Sequence, residues 1–448
     1  MTSSAGSSGA GKCPFASRRG FIAAASGLLV GAAARPVMAA AQGASAELPD
    51  AAVNAAVNVA PNVPAGTEPF YGRNQGGILT PPQRHSYFAA FDLAAKRRED
   101  VVALLRTWTT AAARLTQGET AQPLGNNLTV PAGDSGEALG LPAARLTVTF
   151  GFGAGLFVKD GNDRYGLAAR RPEAMVDLPA FNGDQLVAAQ TGGDLSVQAC
   201  ADDPQVAFHA VRQLARLAYD VAQLRWTQAG FQAGFAAGQT PRNLMGFKDG
   251  TRNPTASPGP GRKPVADVVW VGEEGPVWMR GGSYVVTRRI RIALEHWDRT
   301  PVDFQEEVVG RHKSSGAPLG KTDEFAELDL DAMDGDGNPV IAETAHVRLG
   351  AAEVNGGAEL LRRAYSYNDG SNFTAERWPP WRQGIEYDAG LFFVAYQRDP
   401  RSGFIRIFKT MARMDAMNQY TTHVGSGLFA CPAGIAEGTY LGQGLFEA

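Results

Sequence analysis

The order of apolar and polar positions divides the first half of the chain into short regular elements. Residues 85–93 are rich in aromatic and small apolar side chains and predict a strand. Residues 97–115 repeat apolar side chains every three or four positions, which predicts an amphipathic helix with Trp108 on its buried face. Further strands are predicted at 146–150, 194–199 and 222–231, and a helix at 204–217 that begins after Asp202 or Asp203 as its N-cap.

A similar series recurs in the second half of the chain. Residues 282–292 alternate between apolar and polar positions and predict a strand, and residues 301–309 predict a helix. Strands are also predicted at 265–271, 391–397 and 404–408, with a helix at 411–420. Two such series indicate an α+β protein with two units, each an antiparallel sheet with helices packed on one face. Residues 246–254 fall at the seam between the units, and such seams are common ligand sites.

Composition excludes several classes of protein. The chain has 448 residues, of which 44% are hydrophobic, so it can bury a sizeable core. Its formal net charge of −3 shows no basic excess, which argues against a nucleic-acid partner. The absence of CxxC and CxxCH disfavours thiolate zinc sites and covalently attached haem. We expect Cys200 and Cys431 to be buried small apolar residues, and their spacing leaves a disulfide between them open.

The N-terminus carries a targeting pattern. Residues 17–22 read Ser-Arg-Arg-Gly-Phe-Ile, and the apolar run that follows to Ala34 is far shorter than the ~20 residues that a membrane span needs. Small residues up to Ala39 suit signal peptidase. We therefore predict a twin-arginine signal peptide at 1–39, a flexible lead-in at 40–66 and no stable membrane span. Export of the folded protein would place it in the periplasm or outside the cell.

One segment carries a carboxylate between two glycines. Residues 246–254 read Gly-Phe-Lys-Asp-Gly-Thr-Arg-Asn-Pro, and the glycines and the terminal proline predict an irregular loop that can approach a bulky object closely. Asp249 in this loop is a candidate proton carrier. Taken alone, an aspartate beside a glycine is more often a turn residue that binds its own backbone.

Two later segments carry further candidates. Residues 345–349 read Ala-His-Val-Arg-Leu and residues 361–367 read Leu-Arg-Arg-Ala-Tyr-Ser-Tyr. The imidazole of His346 can offer one nitrogen to a metal and the other to an acceptor, and the guanidinium of Arg362 stays protonated at any working pH. In isolation, a single histidine is more often structural, and the pair Arg362-Arg363 is more often a solvated helix end.

Together these three segments resemble the signature of the dye-decolorising (DyP-type) haem peroxidases. With Gln75-Gly76-Gly77-Ile78 near the start, the resemblance covers most of residues 65–448, although Ala364 stands where the family usually has glycine. The resemblance implies a duplicated ferredoxin-like fold, with an N-terminal domain at 67–240 and a haem-binding C-terminal domain at 241–448. It also implies one non-covalent haem b (iron protoporphyrin IX) per chain.

The resemblance further assigns roles to individual residues. It implies that His346 is the proximal ligand of the haem iron, that Asp249 relays a proton of the peroxide, and that Arg362 stabilises the charge that develops on the breaking O–O bond. The residues implied to contact the cofactor besides His346 are Gly250 and Thr251. The family usually has an acid that accepts a hydrogen bond from the proximal histidine, and Asp388 and Asp399 are both candidates for it.

The resulting hypothesis is a peroxidase that reduces hydrogen peroxide and oxidises dyes or phenolic small-molecule donors in one-electron steps. One alternative keeps the haem but changes the reaction: a deferrochelatase would release iron from haem together with iron-uptake partners. A second alternative is a secreted binding module without chemistry. The oligomeric state stays open, a homo-oligomer included. Residues 329–338 resemble a calcium loop, but Pro339 and Ala345 break the EF-hand pattern, so we predict an acidic surface turn there.

Overall fold

The computed structural model describes residues 66–233, 239–259, 261–375 and 383–447. The signal peptide and nearly all of the lead-in predicted at the N-terminus lie outside these residues. The strands are β1 His85–Leu93, β2 Thr147–Gly153, β3 Leu195–Ala201, β4 Ala222–Phe231, β5 Ser283–Ile292, β6 Leu361–Arg362, β7 Tyr365–Ala375, β8 Gln383–Gln397 and β9 Thr421–Cys431. The helices are α1 Arg98–Leu115, α2 Ala154–Phe157, α3 Pro204–Leu217, α4 Val265–Val269, α5 Leu294–Trp297, α6 Val302–Val309, α7 His346–Leu349, α8 Phe404–Met414 and α9 Gln443–Phe446.

The two halves of the chain repeat one strand order. In the first half the order is β2-β3-β1-β4, and in the second half it is β7-β8-β5-β9. Both orders place the first and third strands in the middle and the second and fourth at the edges, with all pairs antiparallel. This arrangement is the ferredoxin-like order. The predicted α+β class and duplicated ferredoxin-like fold are therefore confirmed.

The two sheets join at both edges and close into a ring. β2 pairs with β9 through Phe152 and Gly153, and β4 pairs with β7 at the single position Phe231↔Ser366. The short strand β6 precedes β7 along the same edge of β8, where Arg362 lies opposite Ala395. Closure removes most free strand edges and fixes the position of β6 relative to the rest of the second half.

In the first half, helices cover the outer face of the sheet. Helix α3 begins where Asp203 accepts hydrogen bonds from the N–H groups of Gln205 and Val206, as expected for an N-cap. The apolar face of α1 packs on β1 through Trp108, whose ring lies 5.3 Å from that of Phe91. The indole N–H of Trp108 donates to the carbonyl of Leu214, 2.8 Å away, which ties α1 to α3. These helices leave a continuous apolar core between themselves and the sheet.

Two predicted strands in the second half are wrong. Residues 265–271 form α4 followed by an extended residue, and residues 404–408 begin α8. The run Phe404-Ile-Arg-Ile-Phe alternates over five residues, but the buried residues of the whole helix are Phe404, Ile407 and Ala412, which lie on one helical face. The helix predicted at 411–420 begins earlier, at Phe404, and a 3₁₀ turn at Ala416–Gln419 follows its end at Met414.

Several other predictions are settled by the structure. Cys200 and Cys431 are buried, as expected, and no disulfide joins them, a point that their spacing had left open. The predicted acidic turn is present, since the carboxylate of Asp334 accepts hydrogen bonds from the N–H groups of Asp336 and Asn338. Within the described ranges no helix combines the length and the apolar character that a bilayer crossing requires.

Candidate active site

A cavity of about 250 Å³ lies in the second half of the chain. Its apolar lining comes from the outer face of β5 and β8 and from α8, namely Ile290, Ile292, Leu391, Phe393, Phe408 and Met411. Its charged and titratable lining comprises Lys248, Asp249, Arg252, Arg262, Arg311, His346, Glu359, Arg362, Asp415 and His423, and Gly250 and Thr251 also line it. The three segments singled out in the sequence therefore meet at one cavity.

The loop of residues 246–254, here called the Asp249 loop, depends on its two glycines. Gly246 and Gly250 have φ angles of 85° and 106°, a region that other residues rarely adopt. A side chain at Gly246 would also meet Lys313, because its Cβ would lie 2.8 Å from the Cε of that residue. Between them, the N–H of Asp249 donates to the carbonyl of Pro241, 2.8 Å away. The backbone therefore holds Asp249 at the cavity wall.

Side chains of the Asp249 loop anchor it to neighbouring segments. Lys248 and Thr251 both bind Glu324, and the Thr251 hydroxyl lies 3.1 Å from its Oε1. Arg252 binds Glu327 at 3.0 Å and Glu353 at 2.8 Å. Burial alone would raise the pKa of Glu324, but the hydrogen bonds from Lys248 and the neighbouring hydroxyls outweigh it, and the pKa is lowered. Glu324 is thus held as an anion that fixes the loop.

Asp249 and Arg362 form an ion pair in the cavity. The Nη2 atom of Arg362 lies 3.2 Å from Oδ1 of Asp249, and the two side chains are 31% and 23% exposed. Arg363, the next residue, is buried and binds the carbonyl of Thr80 and the side chain of Gln83. Neighbouring strand residues point to opposite faces, so one arginine reaches the cavity and the other ties this strand to the first half.

His346 is the first residue of α7, and Asp415 lies between α8 and the 3₁₀ turn before β9. The Nδ1 atom of His346 lies 2.7 Å from Oδ2 of Asp415, whose side chain is 4% exposed. Burial alone would lower the pKa of His346, but the charge and the hydrogen bond of Asp415 outweigh it, and the pKa is raised. This bond engages Nδ1 and leaves Nε2 as the nitrogen available to a ligand in the cavity.

Neither acid expected beside His346 lies there. Asp388 pairs with Arg289 at 2.8 Å, and Asp399 pairs with Arg401 at 2.8 Å. The acid that lies beside His346 is Asp415. Sequence patterns did not single it out, because an aspartate between two helical segments is usually an N-cap. Asp415 is indeed also a cap, since its Oδ1 accepts the N–H of Met417 at 2.9 Å. Its proximity to His346 comes from the packing of α7 on α8, which no local pattern announces.

Two further cavity residues were also missed. His423 lies on β9, and burial followed by the charge of Arg288 lowers its pKa to about 3, so its ring is neutral. Its Nδ1 atom is buried and has no hydrogen-bond partner among the described residues. Burial and the charge of Arg252 lower the pKa of Arg311 to about 10, which leaves it a cation at neutral pH. With Arg252 and Arg362, Arg311 makes the polar end of the cavity rich in guanidinium groups.

The arrangement of these groups suits a cofactor that is largely apolar but carries carboxylates and a metal. The apolar wall can cover a flat macrocycle, the guanidinium groups can balance carboxylates, and Nε2 of His346 can coordinate iron. Asp249 and Arg362 add a proton acceptor and a fixed cation at the same cavity. These features together define the class of protein as one with a cavity suited to a haem-type cofactor.

Comparison with known families agrees with the fold. A family model described as "Dyp-type peroxidase, N-terminal" matches residues 75–232, and one described as "Dyp-type peroxidase, C-terminal" matches residues 240–436. The chain therefore belongs to the Dyp-type peroxidase family, and it is a haem peroxidase.

Individual relatives cover most of the chain. The dye-decolorizing peroxidase of Thermobifida fusca (strain YX) is 38% identical over 96% of this chain and 97% of its own length. The deferrochelatase of Escherichia coli (strain K12) is 36% identical over 85% of this chain and 87% of its own length. Among solved structures, ferric DtpA from Streptomyces lividans is 43% identical, with a TM-score of 0.75 over 86% of this chain and 98% of its own.

Proposed function

We propose that His346 holds the iron of a single non-covalent haem b in this cavity and that Asp249 and Arg362 act on hydrogen peroxide. The observation that carries the proposal is the convergence of two charge pairs, Asp249–Arg362 and His346–Asp415, on one cavity. Gly250 and Thr251, expected to contact the cofactor, also line the cavity and support its placement there.

His346 would coordinate through Nε2, because Asp415 occupies Nδ1. A carboxylate that accepts the other ring N–H fixes the orientation of the imidazole and makes it a stronger donor to the metal. Asp415 is itself held by the N–H of Met417, so the pair cannot rotate freely. His346 would therefore hold the iron through an oriented, electron-rich imidazole.

Asp249 and Arg362 have complementary tasks. The bound haem supplies the two-electron redox chemistry by which the O–O bond of peroxide is cleaved. The Asp249 carboxylate can take a proton from one peroxide oxygen and return it to the other, so that water leaves. Arg362 cannot act as the proton carrier, because its guanidinium stays protonated, but it stabilises the negative charge that develops on the oxygens.

The Arg362→Leu variant tests this assignment. Loss of a preorganised charge stabiliser typically costs ~10²–10³ in rate, and we expect the peroxide-dependent spectral change in stopped flow to slow on that scale. Arg398→Leu is the control, since Arg398 pairs with Glu274 and is not among the described residues that line the cavity. A wild-type rate in Arg362→Leu would remove the role of this residue and leave Asp249 alone.

The reducing substrates are proposed from the relatives. The dye-decolorizing peroxidase among them is named for dyes, and we propose that dyes and phenolic donors supply single electrons to this protein too. Steady-state oxidation of an anthraquinone dye and of a small phenol, each with peroxide, would test this substrate class. Turnover no faster than that of free haemin with either donor would contradict it and favour a binding module.

Iron release is the second candidate function, because several relatives of 36–37% identity over 85% of the chain are named deferrochelatase. In that case the protein would yield free iron and intact protoporphyrin IX, and it would act with partners of an iron-uptake system. Product analysis after incubation with haem separates the two functions. Fluorescent metal-free porphyrin in stoichiometric yield would favour iron release, and its absence alongside peroxide turnover would favour the peroxidase.

The remaining proposals concern organisation and location. We propose domains at 67–240 and 241–448, supported by the repeated strand order and by the spans of the two family matches. We also propose export by the twin-arginine route to the periplasm or the cell exterior, supported by the arginine pair at 18 and 19. Replacement of both arginines by lysine should retain the protein in the cytoplasm, and unchanged export would contradict the route.

A further inference from the structure

Asn253, in the Asp249 loop, binds the main chain of Arg362 at two points. Its Nδ2 atom donates to the carbonyl of Arg362 over 2.8 Å, and its Oδ1 atom accepts the N–H of Arg362 over 3.1 Å. A primary amide offers one donor and one acceptor side by side, so it can pair with a residue as a neighbouring strand would. No other side chain in the described Asp249 loop makes such a two-point contact with Arg362.

The strand geometry explains why Arg362 needs this partner. The N–H of Arg363 donates to the carbonyl of Val394 on β8 over 2.7 Å. Residues of an antiparallel pair alternate between facing the partner strand and facing away from it. The main-chain groups of Arg362 therefore face away from β8, at an edge that Asn253 occupies. Unpaired main-chain groups at such an edge would cost stability and allow the strand to shift.

We infer that Asn253 is a positioning residue that holds Arg362 in register with Asp249. Asn253 and Asp249 belong to one loop, and the N–H of Asn253 closes a turn onto the carbonyl of Gly250 at 2.9 Å. The loop thus grips Arg362 twice: Asp249 binds its guanidinium and Asn253 binds its backbone. The distance between the proton acceptor and the cation is fixed by this double contact, before any peroxide enters.

The inference rests on the proposed role of Arg362 and adds a residue, itself at the cavity, that acts through the main chain of Arg362. When Asn253 is changed, the Arg362 guanidinium should keep its charge but should no longer be held at a fixed distance from Asp249. Such a loss should be smaller than deletion of the guanidinium itself. It should also appear in an equilibrium property of the resting protein that depends on where the cation lies.

The test uses the haem-loaded protein and sodium fluoride as the probe. Fluoride binds ferric iron as a small anion and is stabilised by a nearby cation, so its dissociation constant reports the placement of Arg362. In Asn253→Asp the acceptor for the Arg362 N–H remains, but an oxygen faces the Arg362 carbonyl where the amide donated. In Asn253→Ala both bonds are lost without added charge. We expect fluoride affinity and the rate of reaction with peroxide to fall roughly tenfold in both, the scale of one or two net hydrogen bonds.

Asn243→Asp is the matched control. Asn243 also lines the cavity, and its Oδ1 accepts the N–H groups of Met245 and Phe247, bonds that an aspartate keeps. This variant adds the same charge near the same loop without touching Arg362. A fluoride affinity in Asn253→Asp within twofold of the Asn243→Asp value, together with an affinity in Asn253→Ala within twofold of wild type, would overturn the inference. The Soret band and melting temperature show whether each variant has folded and loaded.

The Arg362→Leu variant separates failure of this inference from failure of the proposed function. If Arg362→Leu also keeps wild-type fluoride affinity and peroxide rate, the role of Arg362 itself is wrong. If Arg362→Leu is impaired while the Asn253 variants match the control, Arg362 keeps its role and Asn253 is only a structural loop residue. Impairment of all three, with the Asn253 variants intermediate, supports positioning.

Discussion

The two halves of this protein share a strand order but differ in what covers their sheets. In the first half, the connection from β1 to β2 contains α1, an 18-residue helix that lies on the sheet. In the second half, the connection from β5 to β7 contains α5, α6 and α7, of four, eight and four residues, and the strand β6. The outer face of β5 and β8, where Ile290, Ile292, Leu391 and Phe393 lie, borders the cavity.

This contrast shows how one half of a duplicated fold can form a ligand site while the other half does not. Where α1 packs on the sheet, Trp108 and its neighbours form a buried apolar core against it. Where short helices and loops replace a long helix, the same sheet face is left with space, and the loops bring charged groups to it. Each of these groups then needs a partner, because an unpaired buried charge is costly. Asp415, Glu324 and Asp249 serve His346, Lys248 and Arg362 in this way.

The largest effect is expected from replacing His346, the residue that we propose as the haem ligand. His346→Ala should abolish stable haem binding, since Nε2 of this residue is the coordinating atom that we propose. The measurement is the Soret absorbance that stays with the protein after gel filtration. His423→Ala is the control, because His423 lines the same cavity but has no carboxylate partner among the described residues. Retention of an unchanged Soret band in His346→Ala would contradict the assignment, and its loss only in His423→Ala would move the ligand to β9.

Two buried tryptophans, one in each half, test whether the core of the first half affects only stability while that of the second half also affects the reaction with peroxide. Trp108 and Trp297 are each 1% exposed, one under α1 and the other beside the Asp249 loop. We expect Trp108→Ala and Trp297→Ala each to lower the free energy of unfolding by about 3–5 kcal/mol, as is typical for large-to-small core changes. Chemical denaturation followed by circular dichroism measures this.

Only the second of these variants should disturb the site. The indole N–H of Trp297 donates to the carbonyl of Met245, 2.9 Å away, and its ring packs on Phe247. Trp297→Ala should therefore also slow the reaction with peroxide, while Trp108→Ala should leave that rate unchanged below its melting temperature. An equal fall in the peroxide rate in both variants would show that the cores of both halves affect the site.

A smaller effect is expected from the carboxylate behind His346. Asp415→Asn keeps an oxygen that can accept the N–H of Met417 but removes the negative charge beside His346. Loss of such a partner typically costs about 10–100-fold in metal affinity or activity. Faster haem dissociation and a higher iron reduction potential are the expected results. Asp399→Asn is the control, and an equal change in that variant would mean that general surface charge is responsible.

Sequence patterns predicted the fold better in the first half than in the second. The elements of the first half are long and show a clear period, and α1, α3 and β4 lie within a residue of where their patterns placed them. In the second half, residues 265–269 and 404–408 are short apolar runs that suit a strand and a helix equally well. Only tertiary packing, such as the stacking of Phe404 on Phe408, decides between the two.

The site could be anticipated only in its motif-bearing parts. Asp249, His346 and Arg362 stand in segments with a recognisable signature, and the structure brings all three to one cavity. Asp415 has no such signature, because its function depends on α7 packing against α8. Asn253 lay inside the most informative motif and still gave no signal, since its role comes from the register of β6 on β8 and not from its neighbours in sequence.

The smallest effect is expected in the first half, from the carboxylate of Glu137. Glu137 lies 3.0 Å from Nδ1 of His209 and 3.0 Å from Nη1 of Arg212. Burial alone would raise its pKa, but hydrogen bonds from Ser135, its own backbone and His209 outweigh it and lower the pKa from 4.5 to about 2. A carboxylate with a lowered pKa contributes stability that is present above its ordinary pKa and is lost as the pH falls toward the folded value.

Glu137→Gln should therefore destabilise the haem-free protein at pH 6 and lose less stability than wild type between pH 4.5 and 3, measured by urea denaturation. Glu119→Gln, which removes an exposed partner of Arg114, is the control and should change little. If the free energy of unfolding of Glu137→Gln falls with pH as that of wild type does, the contacts of this carboxylate with His209 and Arg212 do not stabilise the fold.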